Sequence, residues 1–340
     1  MRDFLIRRWF LVSLLIVIPL GLRIGTQASP ERVESFPKHY VEWASGGLTA
    51  LVLFLMSVTL ENRKLLQSFR APGPVIWGTF VCFVLMPLGA IALLPLQRIE
   101  DFAVGLLIAA AVPSTMAAAS VWARKAGGND AVTLLITILT NGGCFLVTPL
   151  WLKYGLGDTV SLDTAEMIRK LFLTALVPIA LGQLCRAWPF FREVADRRKA
   201  GFGGLAQICI LAIVFWASIQ GGVRLQNGNG QSGQLTLLPV IVVWISSIAL
   251  HLAGMAVALG GGRAFGFSRE DIVAAGFSAS QKTLPIGIFL AAGLAETLPF
   301  AALPILLFHA SQLILDTIMI DPLHRWVQAA PTPTPATAEA

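Results

Sequence analysis

Apolar residues run in stretches of about twenty along almost the whole chain, separated by short polar connections. A stretch of that length is what an α-helix needs to cross a ~30 Å hydrocarbon core. The pattern predicts ten spans, at roughly 8–25, 41–60, 73–95, 102–123, 130–152, 166–186, 200–221, 236–259, 270–293 and 297–320. The basic and apolar N-terminus has the look of a signal peptide, but no clean small-x-small cleavage site follows, so it reads as an uncleaved first helix. The tail after Trp326 is rich in Pro, Thr and Ala and reads as disordered. The expected fold class is an all-α polytopic membrane protein with ten transmembrane helices.

Polar residues interrupt two of these spans. In GFSASQKTLPIGIF, the residues Ser278, Ser280, Gln281, Lys282 and Thr283 follow in near succession between Gly276 and Pro285. They cannot share one helical stripe. A broken helix is therefore expected, a device tolerated at membrane depth only against protein or a cavity. The span at 102–123 carries Pro113 followed by Ser114 and Thr115. A proline frees a backbone carbonyl, and a kink patched by hydroxyls would explain that span taken alone. Together the two breaks say more, because they fall in the fourth and ninth spans. Halves of five spans have opposite orientation, and breaks at matching positions of inverted halves point to a transporter's central site. The expected organisation is a first repeat over 1–160, a second over 161–326 and a tail over 327–340. Half-helix N-termini would suit an anion, and freed carbonyls a cation. In the span after the first break, Thr133, Thr137 and Asn141 share one helical face. In the span after the second lie His309, Ser311 and Gln312.

Composition narrows the function class. Of 340 residues, 13% are charged and 56% hydrophobic, whereas a soluble domain carries roughly a quarter charged residues. The net charge of +6 comes without a dense basic run, so a nucleic-acid partner is not expected. Four cysteines without CxxC spacing argue against a zinc site or disulfide framework. No GxSxG, HExxH or membrane-depth acid pair suggests an enzyme. With the N-terminus placed inside, sixteen basic residues fall in inner connections and eight in outer ones. The positive-inside rule then puts both termini in the cytoplasm. Arg186 to Lys199 is the densest basic connection and reads as an orientation anchor.

One basic residue, Lys282, belongs to no connection. The middle of the core is about 15 Å from either surface, beyond the reach of a snorkelling lysine stem of about 6 Å. Lys282 should therefore face protein or a water-filled cavity, and with no acid expected at its depth it needs an anion, backbone carbonyls or loss of its charge.

At these residues the chain resembles the bile acid:sodium symporter family, in its SBF-like branch of bacterial proteins with an animal relative. The residues carrying the resemblance are Pro113-Ser114-Thr115, Ala126-Gly127-Gly128-Asn129, Asn141 with Thr148-Pro149, Gln281-Lys282, and the stretch PILLFHASQLILDTIMIDPLHRW. The resemblance implies two bundles: a panel of spans one, two, six and seven, and a core of the rest, with spans four and nine crossing at their breaks. It implies transport of a small organic anion by alternating access, in a bacterial inner membrane. On this reading Ser114, Thr115, Asn141, Ser278, Lys282, Thr283, His309 and Gln312 meet the substrate. Thr133, Thr137, Ser280 and Gln281 would serve sodium, the one ion expected to act as a cofactor. The family binds two sodium ions. Here Ala118 and Ala119 stand where the first site has oxygens, and Phe277 and Cys82 stand where the second has an acid and a glutamine. Sodium coupling therefore stays open, and a fixed Lys282 ammonium is an alternative occupant for the lost charge. Another alternative is a non-transporting sensor or regulator of ion homeostasis on the same fold.

Overall fold

The computed structural model describes residues 9–29, 38–60, 72–116, 118–157, 163–227, 237–294, 297–298 and 300–329. These residues are helical apart from short turns and breaks, with no strand among them. The helices are α1 Trp9–Gln27, α2 Lys38–Val58, α3 Pro72–Leu96, α4 Glu100–Ala111, α5 Ala118–Lys125, α6 Asp130–Leu156 and α7 Thr164–Ala187. They continue with α8 Pro189–Arg197, α9 Lys199–Asn227, α10 Leu237–Ala264, α11 Arg269–Ser280, α12 Leu284–Gly293 and α13 Ala302–Gln328.

Six of these, α3, α6, α7, α9, α10 and α13, are long and apolar enough to cross a membrane. Helices α1 and α2 hold shorter apolar stretches. The predicted spans at 102–123 and 270–293 each come as two short helices, α4 with α5 and α11 with α12. Two boundaries need correction. Helix α13 continues through Gln328, so the predicted tail starts as helix, and its residues 330–340 lie outside the described ones. The basic connection after α7 is itself helical, as α8. Arg186 is more than an orientation anchor: it is 5% exposed and donates to Val58 O at 2.8 Å and to Asp196 Oδ1 at 2.8 Å. It ties the ends of α2, α7 and α8 together. Trp188 and Phe190 stay exposed there, as amphipathic interfacial segments require.

Helix α1 lies along α9, and α2 packs on α7 and α9. Small residues set the first contact. A Cβ on Gly25 would run into the Ile219 carbonyl and come within 2.8 Å of Gly222 Cα. Gly21 and Gly25 thus form a small-xxx-small seam that lets two backbones touch. Helices α3, α4, α5, α6, α10, α11 and α13 pack among themselves. Helix α12 reaches across to α2 and α9.

Proline chemistry shapes the helices beside the breaks. Helix α3 widens to a π-turn at Val81–Leu85, where the Met86 N–H bonds Val81 O. In that register the Cys82 carbonyl would seek the N–H of residue 87, which is proline and has none. The Phe83 carbonyl, four residues before Pro87, loses its ordinary helical donor too. Side chains answer both: Lys282 Nζ reaches Cys82 O at 2.7 Å, and Trp151 Nε1 reaches Phe83 O at 2.6 Å.

Candidate functional site

The first break begins because Val112 precedes Pro113. A residue before proline is pushed out of the helical region, and Val112 is extended with φ −67 and ψ 156. The second break has the same extended geometry at Gln281 (φ −75, ψ 138) and at Thr283 (φ −76, ψ 132). The two breaks touch directly. The Thr283 N–H donates to Pro113 O at 2.9 Å, and Lys282 Nζ donates to Val112 O at 3.1 Å.

Backbone groups freed by a break must find partners, because a buried unpaired group costs about 1–3 kcal/mol. In the first break the carbonyls of four consecutive residues are each answered. Ala111 O accepts from Thr148 Oγ1 at 2.8 Å. Val112 O accepts from Lys282, and Pro113 O from Thr283. Ser114 O accepts from Asn141 Nδ2 at 2.9 Å. In the second break Gln312 serves both sides of one peptide residue: Oε1 accepts from Lys282 N at 2.8 Å, and Nε2 donates to Lys282 O at 3.0 Å. An amide side chain from the helix that follows each break, Asn141 on α6 and Gln312 on α13, holds a carbonyl of that break.

Lys282 is 2% exposed. Its Nζ meets Cys82 O, Val112 O and Cys82 Sγ, the last at 3.2 Å. Three acceptors match the three donors of an ammonium. Of the partners open to Lys282 from sequence, backbone carbonyls are those found. The expectation that no acid shares its depth is corrected. Asp316 is fully buried and accepts from Gln281 Nε2 at 2.6 Å. It engages the residue next to Lys282 rather than Lys282 itself.

Gln281 joins the breaks a second time. Its Oε1 accepts from Thr115 Oγ1 at 2.6 Å, and Thr115 Oγ1 in turn accepts from the Ala119 N–H at the start of α5. His251 on α10 completes the cluster, with Nε2 at 2.9 Å from Asp316 Oδ1 and Nδ1 at 3.2 Å from Ser280 O. That carbonyl ends α11, where helical donors run out.

The other sequence-predicted residues fall into three groups. Ser278 and Ser280 are buried, but their hydroxyls donate to Ala274 O and Gly276 O within α11. His309 is half-buried, with Nδ1 accepting from Gln312 Nε2 at 2.9 Å. Thr133 Oγ1 donates to Asn129 O at 3.2 Å. Three buried oxygens beside the first break, Ser114 Oγ, Thr137 Oγ1 and Asn141 Oδ1, have no hydrogen-bond partner among the described residues. They lie close together, since Asn141 Nδ2 bonds both Ser114 O and Thr137 O at 2.9 Å. Such oxygens suit a hard cation or the polar end of a solute. Phe277 is fully buried in an apolar cluster with Ala123, Ala126, Met255, Val273 and Leu323, so no side-chain oxygen stands at that position.

His251 and Asp316 were absent from the expected site, although Asp316 left a signal. His309, Gln312 and Asp316 fall at i, i+3 and i+7, one face of α13. Nothing in the sequence paired His251 with that face.

Comparison with known proteins identifies the family. The chain is 25% identical over 331 residues to the sodium/bile acid cotransporter 7 of Danio rerio, covering 94% of this chain and 95% of that protein. It is 23% identical to the sodium/bile acid cotransporter 7-B of Xenopus laevis, over 94% and 93% of the two chains. It is 24% identical to the probable sodium/metabolite cotransporter BASS4, chloroplastic, of Arabidopsis thaliana, over 80% and 64%. Residues 8–325 match the SBF-like CPA transporter family, and on that coverage the chain belongs to it, a family of transporters and not of enzymes.

Proposed function

We propose that the chain is a secondary active transporter of a small organic anion, working by alternating access. The observation that carries this reading is the contact of two interrupted helices, each held by an amide from the helix that follows. Such a contact supports two inverted five-helix repeats, over 1–160 and 161–326, with ten crossings in all. In this reading α1, α2, α7 and α9 form a panel, and the remaining membrane helices form a core. Both termini face the cytoplasm of a bacterial inner membrane.

The substrate site lies at the crossing. Ser114, Thr115, Asn141, Ser278, Lys282, Thr283, His309 and Gln312 form or support it. Lys282 supplies the positive charge and the half-helix N-termini supply oriented donors. The relatives' names point to sodium as coupling ion. Thr137 beside Thr133 retains an oxygen with no partner among the described residues, whereas Phe277 offers none. We therefore assign sodium to a single site on the α6 face, with Ser280 and Gln281 closing the crossing behind it.

The test is uptake by proteoliposomes across a panel of bile acids, steroid sulfates and small carboxylates, with inward sodium or choline. Accumulation of at least one anion, faster in sodium and slowed in Thr137→Ala, is expected. Anion binding without flux would replace this reading by a sensor on the same fold.

A further inference from the structure

One buried pair of titratable side chains lies outside the anion and sodium sites. His251 and Asp316 are both 0% exposed, on α10 and α13. Three contacts fix their protons. Ser280 O can only accept, so His251 Nδ1 carries a proton. Asp316 Oδ2 accepts from the Gln281 amide and needs no proton of its own. Between His251 Nε2 and Asp316 Oδ1, 2.9 Å apart, there is room for one proton, and without it two lone pairs would face each other. The pair thus holds two protons and is neutral in sum, whichever partner owns the shared one.

That shared proton bridges α10 and α13, which Trp244 Nε1 and Ser311 Oγ also join at 2.8 Å. If the proton leaves, the lone pair of a neutral imidazole meets a bare carboxylate in a dry site, and two acceptors with no proton between them repel. The pair must part or take in water. The disturbance has a short route to the crossing: Asp316 to Gln281, and Gln281 to Thr115 in the first break. Charge balance also favours exchange here. Among the described residues, Lys282 follows Gln281, the partner of Asp316, and bonds Cys82 of α3, while His309 lies two turns before Asp316 on α13; Arg263 lies in the last turn of α10, and Asp321, His324 and Arg325 lie in the last turns of α13. The acids and bases of α4, α5 and α11 sit in the end turns of those helices. With the proton bound, the pair is neutral beside the Lys282 ammonium. With it released, the pair's single negative charge offsets that ammonium.

We infer that His251–Asp316 is a proton-binding site, and that a proton is a coupling ion of this carrier. One proton is taken up between Nε2 and Oδ1 when the pair closes. It is given to the aqueous side facing the site when the pair opens. The inference rests on the transporter reading, but its test needs no transported solute, so the two can fail separately.

The full chain is reconstituted in liposomes on a solid-supported membrane, in choline buffer free of sodium and organic anions, and given a pH jump. The wild type is expected to give a transient current well above that of empty liposomes. Asp316→Glu keeps the carboxyl and is expected to keep the current with a displaced pH midpoint. The double variant His251→Gln/Asp316→Asn keeps an amide hydrogen bond but no exchangeable proton, and its current is expected to fall at least tenfold. Insertion is checked by the unfolding midpoint of each protein. If the double variant does not fold, Asp316→Glu alone decides, since an undisplaced midpoint would mean that the proton binds elsewhere. No wild-type current, or an undiminished current in a folded double variant, overturns the inference.

Discussion

The Lys282 amine, carried by one interrupted helix, lies 3.1 Å from the Val112 carbonyl oxygen of the other. The same amine reaches Cys82 O, a carbonyl orphaned by Pro87 in a third helix. One side chain therefore joins α3, α4 and the second break. Lys282→Met keeps the stem and removes the donors. Two buried carbonyls then lose their partner, at about 1–3 kcal/mol each. A lower unfolding midpoint in detergent and loss of anion uptake are expected; an unchanged midpoint would count against the bracing role.

Asn141 and Gln312 each hold a break from the helix that follows it. Asn141→Ala and Gln312→Ala should each cost about 1–3 kcal/mol by leaving break groups unpaired. Both are expected to slow uptake at least tenfold in protein matched for membrane insertion. Gln312→Asn, one methylene short of its two-sided contact, should not restore it. A large effect at one position with none at the other would speak against equivalent halves.

Phe277 is a fully buried ring in an apolar cluster. Its truncation to alanine should cost about 3–5 kcal/mol, the usual range for a large core cavity. Thermal unfolding in detergent reads this. A midpoint within error of wild type would mean that the ring faces a cavity already present.

Gly25 and Gly222 let α1 and α9 touch through their backbones. Gly25→Leu must push these helices apart. Overpacking of that kind costs about 1–3 kcal/mol or more. The yield of folded protein and its unfolding midpoint should both fall, whereas Gly203→Leu on α9, with nothing near its added Cβ, should leave both unchanged.

Both helix breaks were legible in the sequence because their cause is local. Pro113 bars helical geometry at Val112, and the run from Ser278 to Thr283 cannot face a single stripe. The need of Lys282 for partners was equally legible from its depth. Their identity was not, because Cys82 lies 200 residues away and its carbonyl is free only through a π-turn meeting Pro87. A span ending near residue 320 leaves Asp316 close to its end, but the helix runs on through Gln328. That extension brings Asp316 level with Gln281. Helix α8 was hidden by its charge, which marks a connection as strongly as it marks an amphipathic helix.

In the proposed function, the crossing of the two breaks is the transport site, open in turn to each side of the membrane. Ser114 Oγ lies there, buried and without a hydrogen-bond partner among the described residues. The most direct measurement is the reaction of Ser114→Cys, in oriented membranes, with an impermeant thiol reagent applied from each side, against the wild type with its four native cysteines. Modification from both sides is expected, absent in wild type and slowed by any anion that the protein accumulates. A cysteine at position 114 that reacts from neither side, in folded protein, would contradict that reading.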